Sequence, residues 1–182
     1  MSKLGELKEI LKKLIAIPSV TGNEHDIAIY IADYLRQCGV DSVELQPVEG
    51  KRLNVVAHLK GEKVGPVVLL TGHMDTVAPG EGWRTDPFKA TERDGRIYGR
   101  GAADMKGGIA AILVAIRNAA AQREQMRGEA IIAFVCDEEA YSKGVDALIR
   151  SGIRADYGIA AEPEWDAVIG AVGKMLIKVR VY

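Results

Sequence analysis

"LLTGHMDTVAPGEGW", residues 69–83, is the stretch whose reading decides the fold. An apolar run starting at Val67 ends at Thr71, and His73 and Asp75 follow its tip with one residue between them. A short apolar run stopped by glycine fits a strand covered on both faces. An imidazole and a carboxylate on the turn beyond such a strand form either an ordinary polar loop or one corner of a site. What separates the two is whether other strands end the same way.

They do. Residues 129–136, "EAIIAFVC", read as a second buried strand, followed at once by Glu138 and Glu139. Residues 157–161, "YGIAA", read as a third, followed by Glu162. Between the first two, "RIYGRGAADMKGG" leads into a helix whose inner face is Ile109, Ile112, Leu113 and Ile116, with Asp104 in the glycine-rich turn before it. Residues 143–149 predict a short helix between the second and third. Upstream, Leu4, Leu7, Leu11 and Leu14 recur at helical spacing, and Pro18 breaks that helix. Thr21 and Glu24 have the spacing of a capping box. Ile27, Ile31, Leu35 and Cys38 then give the inner stripe of a second helix that stops near Gly39. Residues 42–46 and 53–59 are further strand candidates. Strands alternating with helices after an N-terminal helical segment predict an α/β three-layer sandwich around a mostly parallel sheet. If the three strands are parallel, His73, Asp75, Asp104, Glu138, Glu139 and Glu162 all gather at the carboxyl edge of that sheet, where open α/β sheets bind ligands.

The chain has 182 residues, about one domain's worth. Apolar residues make up 48%, enough for a sizeable core. Lys and Arg total 24 against 25 Asp and Glu, a net charge of -1, so nothing calls for nucleic acid as a partner. No stretch is long and apolar enough for a membrane span, and the amphipathic N-terminus lacks the continuous apolar core of a signal peptide. Cys38 and Cys136 are far apart and in no metal-type spacing, which predicts reduced thiols in a cytoplasmic protein. Residues 174–182 differ from the rest: apolar Met175, Ile177, Val179 and Val181 alternate with other residues, as in a half-exposed strand of a one-sided sheet. Residues 1–172 are then expected to be the N-terminal part of one domain, and 173–182 the first strand of a second. An unfinished sheet leaves an edge to cover, so self-association through the C-terminal strand is expected.

One neutral imidazole and several carboxylates suit zinc or a similar divalent ion. His73 and Asp75 are two residues apart, so in extended backbone they share a face, and Asp75 can accept the free N–H of His73 and fix its tautomer. Glu138 and Glu139 are adjacent and point different ways, so one can bind metal while the other faces the attacking water as general base. The remaining candidates read as ordinary structure. His25 opens a helix at the surface, His58 alternates within a strand, and Asp86, Glu92 and Asp94 lie in a polar, hairpin-like stretch. "GRGAAD" lacks the third glycine of a dinucleotide fingerprint.

"GHMDTV", "GWRTDPF", "DGRIYGRGAADMKGG", "DEEAYSKG" and "AEP" resemble, in order and rough spacing, the M20 family of metallopeptidases and deacylases. That family includes acetylornithine deacetylase, succinyl-diaminopimelate desuccinylase, aminoacylase and glutamate carboxypeptidase. The resemblance covers nearly the whole chain. It implies two zinc sites, with cobalt or manganese as substitutes, and hydrolysis of an amide in an N-acyl amino acid or small peptide. It implies that His73 and Glu162 bind the first metal, Glu139 the second, and Asp104 both. Asp75 would orient His73, Glu138 would be the general base, and the Asp104–Met105 peptide bond would be cis. Family enzymes are roughly twice as long and supply a second histidine and a lid from their later part. The second metal site is therefore expected to be incomplete here, with little or no activity from the chain alone. A non-catalytic α/β binding module that keeps the fold is the alternative.

Overall fold

The computed structural model describes residues 2–163. The alternating segment 174–182, its domain boundary and the self-association expected of it lie outside the described residues.

Helix α1 spans Lys3–Ile15, with the Gly5 amide donating to the Ser2 hydroxyl at 3.1 Å as its N-terminal cap. Ile10, Leu11, Leu14 and Ile15 carry its buried face, while Leu4 is 64% exposed. Helix α2, His25–Gln37, buries Ile27, Ile31 and Leu35 completely, and the chain reverses at Gly39 with φ +75°. The expected capping box is absent. Glu24 is the residue at the helix start and makes no capping bond, and the Thr21 hydroxyl donates instead to Asp75 at 2.9 Å. A buried carboxylate far along the chain outcompetes the local amide for that hydroxyl.

Strands β1 (Ser42–Glu49) and β2 (Arg52–Lys60) form an antiparallel hairpin. Strand β3 (Lys63–His73) follows, then the small hairpin β4 (Thr91–Arg93) and β5 (Arg96–Tyr98), which turns at Asp94 and Gly95, both left-handed as such a tight turn requires. Glu92 stays exposed but pairs with Lys8 and Lys12 of α1. His58 sits against Glu129, a structural role. Helix α3 is Lys106–Ala120, strand β6 Arg127–Val135, helix α4 Lys143–Arg150 and strand β7 Tyr157–Ala160.

The main sheet has the order β1-β2-β6-β3-β7. Strands β6, β3 and β7 are parallel, β2 is antiparallel to β6, and β1 is antiparallel to β2, so only β2 runs against the rest. Helices α1 to α3 pack on one face through Val55, Ala57, Leu59, Ile132 and Phe134. Helix α4 packs on the other through Val56, Ile131, Ala133, Val135 and Leu148. These are the three layers the alternation predicts. The four inner positions named for α3 are all buried. Two expectations fail in degree. Strand β7 is an edge rather than a buried strand, with Tyr157 66% and Ile159 55% exposed, and residues 67–71 are only half-buried. Both follow from position, because β3 has β7 as its outer neighbour and, among the described residues, nothing lies beyond β7 in the sheet.

Register sets the level of the loops. His73 lies opposite Val135, and Thr71 opposite Ala160, so the turns after β3, β6 and β7 leave the sheet side by side at its carboxyl edge.

Candidate metal centre

Each corner of this edge is held by its own local packing. The His73 amide donates to the Met105 sulfur at 3.0 Å. Gly72 permits that approach, since a Cβ there would stand 2.3 Å from the Met105 methyl. The segment leaving α1 runs beside the turn. The Ser19 hydroxyl donates to the Met74 carbonyl at 2.8 Å, and the Thr76 amide donates to the Ser19 carbonyl at 2.9 Å. The peptide bond between Asp104 and Met105 is cis. Helix α3 then begins with Lys106, fully buried, whose ammonium donates to the carbonyls of Leu14 and Ile17, each at 2.9 Å. Those bonds satisfy the end of α1. Burial pushes the Lys106 pKa down to about 8. At Gly108 a Cβ would lie 2.1 Å from the Ala161 carbonyl oxygen, so the missing side chain lets the segment before Glu162 close onto α3.

His73 is the hub, with 2% of its surface exposed. Its Nδ1 lies 2.9 Å from the Asp75 main-chain carbonyl, an acceptor only, so Nδ1 keeps its hydrogen and Nε2 is the nitrogen free to bind. The carboxylate of Asp75 stands farther off, 3.6 Å from Nδ1. The carbonyl is thus the nearer acceptor, and the carboxylate expected to take the His73 N–H stands behind it, still close enough to favour a proton on the ring. The carboxylate accepts instead from the amides of Glu138 (3.0 Å) and Glu139 (3.1 Å) and from Thr21, tying the turn after β6 to the turn after β3.

On the open side, Nε2 is 2.9 Å from Asp104 Oδ1 and 3.8 Å from one oxygen each of Glu138 and Glu162. His73, Asp104 and Glu139 each bring one potential ligand atom, all within 4.8 Å of one another. The structure therefore brings together all six residues picked out by sequence. The donor set fits a divalent cation: one imidazole nitrogen and several carboxylate oxygens converge, and among the described residues no Lys or Arg pairs with Asp104, Glu138 or Glu139. The electrostatics show the same deficit of positive charge. Burial disfavours a charged His73, but Asp75, Glu162 and Asp104 outweigh it and push its pKa up to about 9. Burial, then Asp104, raises the Glu139 pKa from its ordinary value. A proton on the imidazole and a bound cation are alternative ways to answer that negative field.

Sequence reasoning missed the residues behind the site. Asn54, fully buried, accepts the Cys136 amide at 3.1 Å and donates to the Gly144 carbonyl at 2.8 Å. Arg52, Glu24 and Asp137 form a buried ion cluster beside it. Nothing in local periodicity marks Arg52, Asn54 or Asp137, and Glu24 read only as half of a capping box.

Residues 69–178 match peptidase family M20/M25/M40. Succinyl-diaminopimelate desuccinylase of Bordetella avium is 38% identical over 173 residues, which cover 91% of this chain and 45% of that protein. Human carnosine dipeptidase 1 superimposes with a TM-score of 0.74 at 25% identity, covering 86% of this chain and 38% of that one. A metallo-carboxypeptidase from Sulfolobus solfataricus gives a TM-score of 0.75 at 25% identity, covering 86% and 37%. The chain spans less than half the length of the curated relatives it matches. Among the described residues no helix is long and apolar enough to cross a membrane. With the match over residues 69–178 and the parallel-sheet edge that carries His73, the chain belongs to peptidase family M20/M25/M40.

Proposed function

We propose that this chain is the N-terminal part of the catalytic domain of a zinc-dependent amide hydrolase, with residues 173–182 opening a second domain. Its substrate class is an N-acyl amino acid or a small peptide. The observation that carries the reading is the convergence of ligand atoms of His73, Asp104 and Glu139 within 4.8 Å of one another at the carboxyl edge of the sheet. The relatives named as succinyl-diaminopimelate desuccinylases make an N-succinyl amino acid the first substrate to try.

In this reading His73, Asp104 and Glu162 hold one ion, and Asp104 and Glu139 contribute to a second. Cobalt and manganese have suitable donor preferences as substitutes. When bound, a divalent ion polarises an amide carbonyl and makes water acidic near neutral pH. Glu138, 3.8 Å from His73 Nε2 and partly exposed, would accept a proton from the attacking water and return it to the leaving amine. The Asp75 carbonyl holds His73 in the tautomer that offers Nε2, and the Asp75 carboxylate holds the backbone of Glu138 and Glu139.

Among the described residues the second ion has only Asp104 and Glu139. The chain by itself is therefore expected to take one ion per molecule and to turn over little substrate. Titration with cobalt, followed by assay on N-succinyl and N-acetyl amino acids, tests both statements. Failure to bind any divalent ion overturns the metal-centre reading, and robust turnover by the isolated chain overturns the expected inactivity.

A further inference from the structure

Strand β2 runs antiparallel to β6, which puts the start of β2 beside the end of β6. Arg52 opens β2, and its guanidinium reaches the turn that carries Glu138 and Glu139. Nε donates to Glu24 at 3.0 Å and Nη2 donates to the other Glu24 oxygen at 2.6 Å, a two-pronged pair. Nη2 also donates to Asp137 Oδ1 at 2.7 Å. Glu24 is fully buried and Asp137 is 1% exposed. Asp137 is itself a knot in the turn. Its other carboxylate oxygen accepts the Lys143 amide at 3.1 Å, its carbonyl accepts the Ser142 amide at 2.7 Å, and its backbone is left-handed with φ 70°. The Asp75 carboxylate holds the next two amides. The turn is thus held at two adjacent points, Asp137 by a guanidinium from β2 and the amides of Glu138 and Glu139 by a carboxylate from the turn after β3.

We infer that Arg52 is a positioning residue of the metal centre: through Asp137 it fixes where the Glu138 and Glu139 side chains stand, without touching metal or substrate. The inference rests on the metal-centre reading above. A fork is required because one flat cation must satisfy two buried carboxylates at once, and an ammonium cannot reproduce that geometry. Removing one member leaves buried charge without a partner, and the turn shifts to relieve it.

Cobalt(II) binding to the full chain tests this, read by affinity and by the visible absorption of the bound ion. Arg52→Lys is expected to lower cobalt affinity roughly tenfold or more and to alter the spectrum, the size typical when a partner behind a ligand is lost. Asp137→Asn, milder and the fallback should Arg52→Lys fold poorly, is expected to change both in the same direction. Arg117→Lys is the control, because Arg117 also pairs with a buried carboxylate, Glu6 at 2.6 Å, but on α1 and α3 away from the turn. It is expected to lower thermal stability and leave cobalt affinity and spectrum unchanged. Wild-type affinity and spectrum in both Arg52→Lys and Asp137→Asn would overturn the inference alone, as would an equal affinity loss in Arg117→Lys. No cobalt binding by the wild-type chain would overturn the metal centre and this inference together.

Discussion

At the scale of single residues, Asp75 shows how a side chain can serve a site by holding backbone. Its carboxylate accepts three hydrogen bonds, from Thr21, Glu138 and Glu139, at full burial. Asp75→Asn keeps the size but turns part of the group into a donor facing donors. Loss of the charge-assisted bonds is expected to cost about 2–3 kcal/mol, measured by urea unfolding, and to weaken cobalt binding in the same variant. Unchanged unfolding and binding would show that the turn after β6 does not depend on this carboxylate. The two free thiols give a second residue-level expectation. Burial pushes the Cys136 pKa up to about 12 and raises Cys38 as well. Only the thiolate attacks, so a thiol well below its pKa stays silent. At pH 8 an aromatic disulfide reagent is expected to leave Cys136 untouched in the folded chain, label half-buried Cys38 slowly, and label both in denaturant. Fast labelling of Cys136 would mean that the end of β6 opens readily.

At the scale of elements, helix α3 and the segment just after strand β7 meet at Gly108 and Ala161. A methyl at Gly108 would sit 2.1 Å from a carbonyl oxygen, which no rotamer can relieve. Gly108→Ala is expected to push the segment before Glu162 outward, costing about 1–3 kcal/mol and weakening metal binding. Gly152→Ala is the useful contrast: Gly152 has open space but a φ of +80°, so it is expected to cost stability while sparing metal affinity. Equal metal affinity in wild type and Gly108→Ala would detach Glu162 from the site. The elements themselves were legible in the sequence where one face alone is buried. The stripes Ile27, Ile31, Leu35 and Ile109, Ile112, Leu113, Ile116 are periodic because their helices cover one side of a sheet. Five of the six candidate site residues were legible because they follow apolar strands, and parallel pairing turns that sequence pattern into proximity, whereas Asp104 was legible from the glycine-rich turn before α3. What escaped was decided by distant partners. The Thr21 hydroxyl had a plausible local use as a cap, but its acceptor is 54 residues away. Arg52 finds one partner 28 and another 85 residues away, and nothing beside it in sequence announces either. Strand β7 read as buried because its composition is apolar, but burial depends on what lies beyond the edge of the sheet.

At the scale of the whole molecule, the site concentrates negative charge in a chain whose net charge is only -1. Asp104, Glu138, Glu139 and Glu162 surround a single imidazole, and folding must bring them together before any cation arrives. An ion that binds only the folded arrangement then stabilises the entire chain by mass action. At one hundred times its dissociation constant that amounts to about 2.7 kcal/mol. For a chain of this size each kcal/mol moves the melting temperature by about 2–4 °C, so cobalt or zinc at that level is expected to raise it by roughly 5–10 °C. A chelator should return the midpoint to its starting value. Magnesium, which prefers oxygen ligands and sheds water reluctantly, is expected to do much less at equal concentration, because His73 offers it little. His73→Ala removes the only imidazole of the cluster and is expected to abolish the zinc and cobalt shift while leaving the small magnesium effect. Equal shifts with all three ions, or a zinc shift that survives in His73→Ala, would mean that the cation is held by scattered surface carboxylates and not by the edge where β3, β6 and β7 end.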